Sequence, residues 1–294
     1  MSVLGLGLAM SLYAGSDGES KIRSSNTTEL RKRIAGGIEA NFKEFPFAVS
    51  IFENGLQICG GTLLSNKVVL TAAHCLKVLK NNKYVKTDAK LFNVRFGSAN
   101  SADNINEIGV KSTHVHEKFD RMPNHNDIGI MFLEKGITED QEKEYGIEYG
   151  KIFNRLVHED MKTVAIGWGR QFQDGNRSNK LRVADILLSD YGLCESADYK
   201  YDGNNEMSIC SINTNGKGVC RGDSGGPLLY NEENLESNKP KKAVVGISMK
   251  IARDDQVQIR CEDRGVANYY VNTFYHLHWI SNTSGIPRSD LNYF

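Results

Sequence analysis

The sequence predicts an all-β protein, arranged as barrels or a sandwich. Short apolar runs recur between turn signals from Phe47 onward, the chain carries 28 glycines, and no long coiled-coil pattern runs through it. In chain order the runs are Phe47 to Phe52, Lys67 to Thr71, Leu91 to Gly97, Ile128 to Leu133, Thr163 to Gly167, Val183 to Leu188 and Ala243 to Met249. The charged stretch from Glu134 to Asp160 breaks this rhythm and is predicted to link two β units. Near the end, Asn272 can cap a short helix in which Phe274, Leu277 and Ile280 share a packing face. The tail from Gly285 onward is predicted to be irregular surface.

At 294 residues the chain is long enough for one large domain or two ordinary ones. Its 36 basic and 36 acidic residues balance, so nothing points to nucleic acid or a charged membrane face as a partner. The apolar stretch from Val3 to Ala14 is short for a membrane span, and residues 1–14 read as a secretory signal peptide. Residues 15–33 are polar, cannot bury a core, and end in Arg31-Lys32-Arg33. Sequons at Asn26, Asn176 and Asn282 agree with a secreted glycoprotein. The cysteines, Cys59, Cys75, Cys194, Cys210, Cys220 and Cys261, are even in number and include no Cys-x-x-Cys pair. That favours structural disulfides over a zinc or redox site, with the pairing left open by the count.

The strongest local signal is Gly222-Asp223-Ser224-Gly225-Gly226-Pro227. A serine hydroxyl needs a base to remove its proton and donors to hold the oxyanion it creates. Glycines beside it let the chain turn sharply, so that the Gly222 and Ser224 amides can point at one spot. Leu70-Thr71-Ala72-Ala73-His74-Cys75 offers the base, because imidazole titrates near neutral pH and the alanines permit close packing. Asp127, entering the apolar run Ile128 to Leu133, is the carboxylate that can orient His74. His114 and His116 lie two apart but lack further metal-ligand spacing, and Asp103 and Glu107 read as solvated acids.

Together these segments resemble the chymotrypsin/trypsin-type serine protease family, over Ile34 to about Ser281. The likeness also includes Arg33-Ile34-Ala35-Gly36-Gly37, Cys59-Gly60-Gly61-Thr62-Leu63-Leu64, Gly167-Trp168-Gly169, Val245-Gly246-Ile247-Ser248 and Trp279-Ile280. The resemblance implies two six-stranded antiparallel β-barrels with a C-terminal helix and the active site between the barrels. It implies a triad of His74, Asp127 and Ser224, and disulfides Cys59–Cys75, Cys194–Cys210 and Cys220–Cys261. Ser248 would support the triad aspartate and line the substrate groove. Residues 15–33 would be an activation pro-segment, and residues 34–294 the protease domain. Cleavage after Arg33 by an activating trypsin-like protease would free the Ile34 amino group to pair with Asp223 and order the oxyanion amides. Partners would be protein or peptide substrates and protein inhibitors, with no cofactor or metal required.

The chain departs from the family's pattern around the substrate pocket. Gly218 stands where a trypsin-like enzyme needs an aspartate, with Val219 beside it. Met249 and Lys250 replace the usual Trp and Gly after Ser248, and 12 residues separate Ser248 from Cys261, a longer loop than usual. The expectation is an endopeptidase that does not prefer Lys or Arg but takes a neutral apolar or aromatic residue. A variant has Lys250 or Arg264 turning inward to select an acid. The alternative function is a catalytically weak homologue acting as a binding or regulatory protein. A serine esterase of the elbow-bearing class is set aside by the His, Asp, Ser order, which is wrong for that class.

Overall fold

In the computed structural model the first half of the chain closes into a ring. A two-residue strand, β1 (Ile38–Glu39), precedes β2 (Ala48–Glu53), β3 (Leu56–Ser65) and β4 (Val68–Thr71). A hairpin of β5 (Lys77–Lys80) and β6 (Lys83–Lys86) follows, then β7 (Phe92–Arg95), β8 (Glu107–Val115) and β9 (Gly129–Leu133). Strands β2, β3, β4, β9, β8 and β7 pair antiparallel in that order to form a closed six-stranded barrel. Val49, Ile51, Leu63, Val69, Ile130 and Met131 are completely buried in the core these strands share. Burial of such side chains supplies about 1.5–3 kcal/mol each.

The second half contributes β10 (Lys162–Gly167), β11 (Arg182–Leu187), β12 (Ser208–Ile212), β13 (Pro227–Glu232), β14 (Lys241–Ala252) and β15 (Ala267–Asn272). With β1 along one edge they pair antiparallel in the order β1, β11, β10, β13, β14, β15, β12. The sheet curls until the end of β11 meets β12: Ser189 N–H donates to Cys210 O at 3.0 Å, and Ile212 N–H to Ser189 Oγ at 2.9 Å. This is the second barrel, closed by single bonds where the first is closed by a ladder.

The structure describes residues 35–294 except 81–82, 104–105, 120–125, 160, 198–200, 202–204, 233–240 and 254–257. The expected signal peptide, pro-segment, Arg33, Ile34 and the Asn26 sequon lie outside the described residues. The charged link between the barrels carries a helix, α1 (Glu139–Tyr145). Thr138 and Gln141 form a reciprocal capping box at its start, and Gly146 ends it in the left-handed conformation at φ 62°. A second helix, α2 (Tyr191–Ala197), carries Cys194. The C-terminal helix, α3 (Leu277–Ser284), buries Leu277 and Ile280, while Trp279 Nε1–H reaches the first half by donating to Glu117 Oε2 at 3.1 Å. It begins later than Asn272 suggests. The Asn272 side chain accepts from Phe274 and Tyr275 N–H and so caps the turn that leads into α3. The tail contains a short helix, α4 (Arg288–Leu291), because Leu291 is fully buried, so it is not simply irregular surface. The three disulfides are Cys59–Cys75, Cys194–Cys210 and Cys220–Cys261.

Candidate active site

His74 sits on the single turn Ala73–Leu76 that follows β4. Cys75 ties this turn to β3 through Cys59, and Ala72 and Ala73 are fully buried beneath it, where larger side chains would not fit. Asp127, 1% exposed, lies just before β9, which pairs with β4. Register therefore brings the two segments together. Asp127 Oδ2 lies 2.6 Å from His74 Nδ1, and Oδ1 accepts the His74 backbone N–H at 2.8 Å. A carboxylate that accepts from both ring and backbone of one histidine fixes the ring with Nδ1 protonated. That leaves Nε2 as the basic nitrogen.

The Ser224 loop sits on the seam between the barrels. From the first barrel, Gly60 N–H donates to Ser224 O at 2.8 Å, and from the second, Ser248 O accepts Gly225 N–H at 2.8 Å. Gly222 and Gly225 adopt φ of 101° and 77°, left-handed values that favour glycine. A Cβ on Gly225 would also fall 2.1 Å from Thr71 Oγ1 and 2.6 Å from Gly60 O. Neither the Gly222 nor the Ser224 amide donates to a protein acceptor among the described residues. Ser224 Oγ and His74 Nε2 are not hydrogen-bonded to each other, and Nε2 lies 3.8 Å from Cys75 Sγ. The nearby sulfurs of Cys59 and Cys75 offer no thiolate to a metal, since both are in the disulfide.

Asp223 is completely buried. Its carboxylate accepts from Gly169 N–H at 2.7 Å and Cys220 N–H at 2.9 Å, but among the described residues no cation reaches it. Burial outweighs these bonds and pushes its pKa up to about 6. The Gly167-Trp168-Gly169 segment makes room for it, because a Cβ on either glycine would come within 2.1 Å or 2.4 Å of Asp223 atoms. Ala35, also fully buried, accepts Gly218 N–H at 3.0 Å and seats the first described residue five positions upstream of Asp223 along that loop.

Beside Ser224 opens a cavity of about 640 Å³. Its buried lining is mainly apolar, formed by Val219, Cys220, Met249 and Ser248. Its exposed lining is charged, formed by Arg221, Arg260 and Asp174, with Arg170 and Lys250 half-buried. Lys250 lies with Nζ 5.0 Å from the Tyr269 ring centroid. Gly218 is not on the cavity surface, and the space of its missing Cβ is taken by Asn268, whose Oδ1 would lie 2.6 Å away. The fully buried Asn268 accepts Val219 N–H at 3.0 Å and donates to Ser211 O at 3.3 Å. Ser248 is buried on the cavity, but its hydroxyl has no hydrogen-bond partner among the described residues, so it does not support Asp127 through a hydrogen bond. His74 already engages both Asp127 oxygens. Asp103 and Glu107 are held internally, by Ser98 and Asn100 and by Arg95 respectively.

Sequence reasoning missed Asn268 and Arg177, whose Nε would lie 3.0 Å from a Gly222 Cβ, and, though it singled out the segments of Gly60 and Thr71, it missed their close approach to Gly225. These residues act through register and close approach across long sequence separations, which no local pattern shows.

The family model described as Trypsin matches residues 34–280 of this chain. Hypodermin-B of Hypoderma lineatum is 32% identical over 209 residues, 69% of this chain and 75% of that protein. Trypsin epsilon of Drosophila erecta is 30% identical over 203 residues, 68% of this chain and 74% of that protein. Trypsin 5G1 of Aedes aegypti is 30% identical over 226 residues, 76% of this chain and 80% of that protein.

Proposed function

The chain belongs to the trypsin family of serine proteases, and on that premise we propose that it is a secreted endopeptidase, held as a precursor until the Arg33–Ile34 bond is cut. The observation that carries this reading is the buried Asp127 carboxylate accepting both hydrogen bonds from His74, next to a serine loop whose Gly222 and Ser224 amides donate to no protein acceptor among the described residues. In the reaction Ser224 Oγ attacks the substrate carbonyl carbon while His74 Nε2 takes its proton. The oxyanion is held by the Gly222 and Ser224 amides. His74 then returns the proton to the departing amine as the C–N bond breaks, and water releases the acyl group by the same base. The Ser224–His74 hydrogen bond forms when substrate orders the cleft, as such bonds commonly tighten in the complex.

Asp223 supports the activation step. Keeping this carboxylate ionised at neutral pH without a cation costs about 3 kcal/mol. Ala35 is already seated against Gly218, five residues before Asp223 on the same loop, so the amino group freed on Ile34 adjoins a fixed point on the loop that carries this acid. Pairing relieves the cost and holds Gly222 and Ser224 in place. Three disulfides support an oxidising, extracellular location.

Specificity follows from the cavity. A lysine or arginine side chain needs an opposing charge, yet among the described residues Asp174 is the carboxylate on the lining, and it is exposed and 3.7 Å from Arg260. The apolar buried wall favours a neutral apolar or aromatic residue before the cut. The test is to cleave the precursor with a trypsin-like enzyme, remove that enzyme, and compare matched peptides bearing Phe, Leu, Ala, Asp or Arg. Phe or Leu should lead and Ser224→Ala should lower turnover by about a millionfold; a large preference for Arg would overturn the specificity reading.

A further inference from the structure

From the rim of the cavity to Gly222, the cleft carries positive charge that no carboxylate of the described residues pairs with. The segment from Trp168 to Ser178 folds back on itself, with Arg170 and Arg177 bridged antiparallel and Ser178 N–H shared between Trp168 O and Gly169 O. Arg170 N–H donates to Arg221 O at 2.8 Å, which fastens this loop to the serine loop. The Arg177 side chain is thereby laid on Gly222, with Nε 3.0 Å and Cδ 3.4 Å from the position of a Gly222 Cβ. Three arginines thus come from two adjoining backbone segments, Arg177 laid on Gly222 and Arg170 and Arg221 on the lining of the cavity beside Ser224.

None of the three pairs with a carboxylate among the described residues. Arg170 donates from Nη1 to Gln173 O, and Arg260, across the cavity, is the cation that takes Asp174 and Glu262. Partial burial and the charge of Arg170 hold the Arg177 guanidinium below its ordinary pKa. The arrangement raises the potential at this point without relieving it inside the protein, a condition an anionic ligand would satisfy.

We propose that Arg170, Arg177 and Arg221 form a subsite for an acidic side chain in the first two residues after the scissile bond. The inference rests on the peptidase reading for its placement. With the residue before the bond in the cavity walled by Val219 and Ser248–Lys250, the chain beyond the bond would leave past Gly222, on which Arg177 is laid. A carboxylate there can take two parallel N–H donors from a guanidinium, a geometry lysine or neutral side chains cannot match. The substrate class is therefore a peptide with a neutral residue before the cut and Asp or Glu just after it.

The experiment uses the cleaved Ser224→Ala protein, so that binding is read without turnover, and matched peptides carrying Asp, Asn or Lys at the first or second position after the bond. The expected result is about tenfold tighter binding of Asp than of Asn and weaker binding of Lys, a gap that narrows as salt rises. Arg177→Gln and Arg221→Gln should each shrink the Asp-to-Asn ratio severalfold, while Lys135→Gln, a distant surface change, should not. Equal binding of the three peptides, or no binding of the Asp peptide, would overturn the subsite. So would binding of a sulfated oligosaccharide that depends on the same arginines with no discrimination among peptides. Turnover of an Asn peptide by the cleaved wild-type protein, measured in parallel, reports on the peptidase reading alone, so the two can fail separately.

Discussion

At the scale of single residues, the buried Asp223 has the most measurable consequence. Its folded pKa of about 6 lies above the ordinary value of 3.8, so the folded precursor favours the protonated acid. The sign follows directly: stability from this group is full below about pH 4 and is lost as pH rises toward 6, amounting to about 3 kcal/mol at neutral pH. On the proposed pairing, an Ile34 ammonium would remove that loss. Cutting the precursor should therefore raise the melting temperature more at pH 7 than at pH 4, measured on Ser224→Ala protein to prevent self-digestion. Equal increments at the two pH values would contradict the pairing. The contact of Asp127 with His74 was expected from the sequence because the His74 and Ser224 segments are distinctive locally, and Asp127 gains its meaning only in their company. Asn268 was not, because only the β14–β15 register places it against Gly218.

At the scale of elements, the start of α3 is acid-sensitive. His276 is buried and its Nε2 has no hydrogen-bond partner among the described residues, with the His116 ring 5.3 Å away. Burial first, and then the neighbouring His116, push its pKa down to about 3. Here the folded state favours the neutral ring, so stability is lost as pH falls from about 6.5 toward 3, by about 3 kcal/mol at pH 4. The effect opposes that of Asp223 over part of the range, so it must be read as a difference. Urea unfolding of wild type and His276→Gln at pH 7 and pH 4 should show the variant losing less on acidification; parallel losses would contradict the assignment. All seven apolar runs read from the sequence fall on strands, β2, β4, β7, β9, β10, β11 and β14. Strands β3, β8 and β12 were less visible because glycines, polar residues or cysteine interrupt them: Gly60 and Gly61 in β3, Lys111 and Ser112 in β8, Cys210 in β12. In β3 the interruption is itself structural, since a Cβ on Gly60 would meet the Gly226 backbone at 3.1 Å.

For the molecule as a whole, the seam between barrels is where folding and chemistry meet. Gly225 touches Thr71 and Gly60 from the first barrel while bonded to Ser248 of the second. Gly225→Ala should destabilise the protein by about 3 kcal/mol or more, because the φ of 77° and the backbone contact cannot both be kept. It should also lower activity beyond what the lost stability explains, as seen by comparing kcat/KM with the folded fraction from unfolding curves. A variant as stable and active as wild type would show that the close approach is dispensable. The two-barrel architecture and the three disulfides were legible through family resemblance. Neither could be read from composition, since a balanced charge and six cysteines fit many folds.

The central claim is that cleavage at one bond converts an inert chain into a serine peptidase, and it is tested most directly by labelling Ser224 with a fluorophosphonate before and after the cut. Verified-uncut Arg33→Gln protein should react slowly and hydrolyse no member of a peptide library. The cleaved wild-type protein should take up one label per chain, at Ser224, with all turnover lost in step. Equal labelling and turnover by the uncut protein, or a cleaved protein that neither labels nor hydrolyses any peptide, would contradict the account.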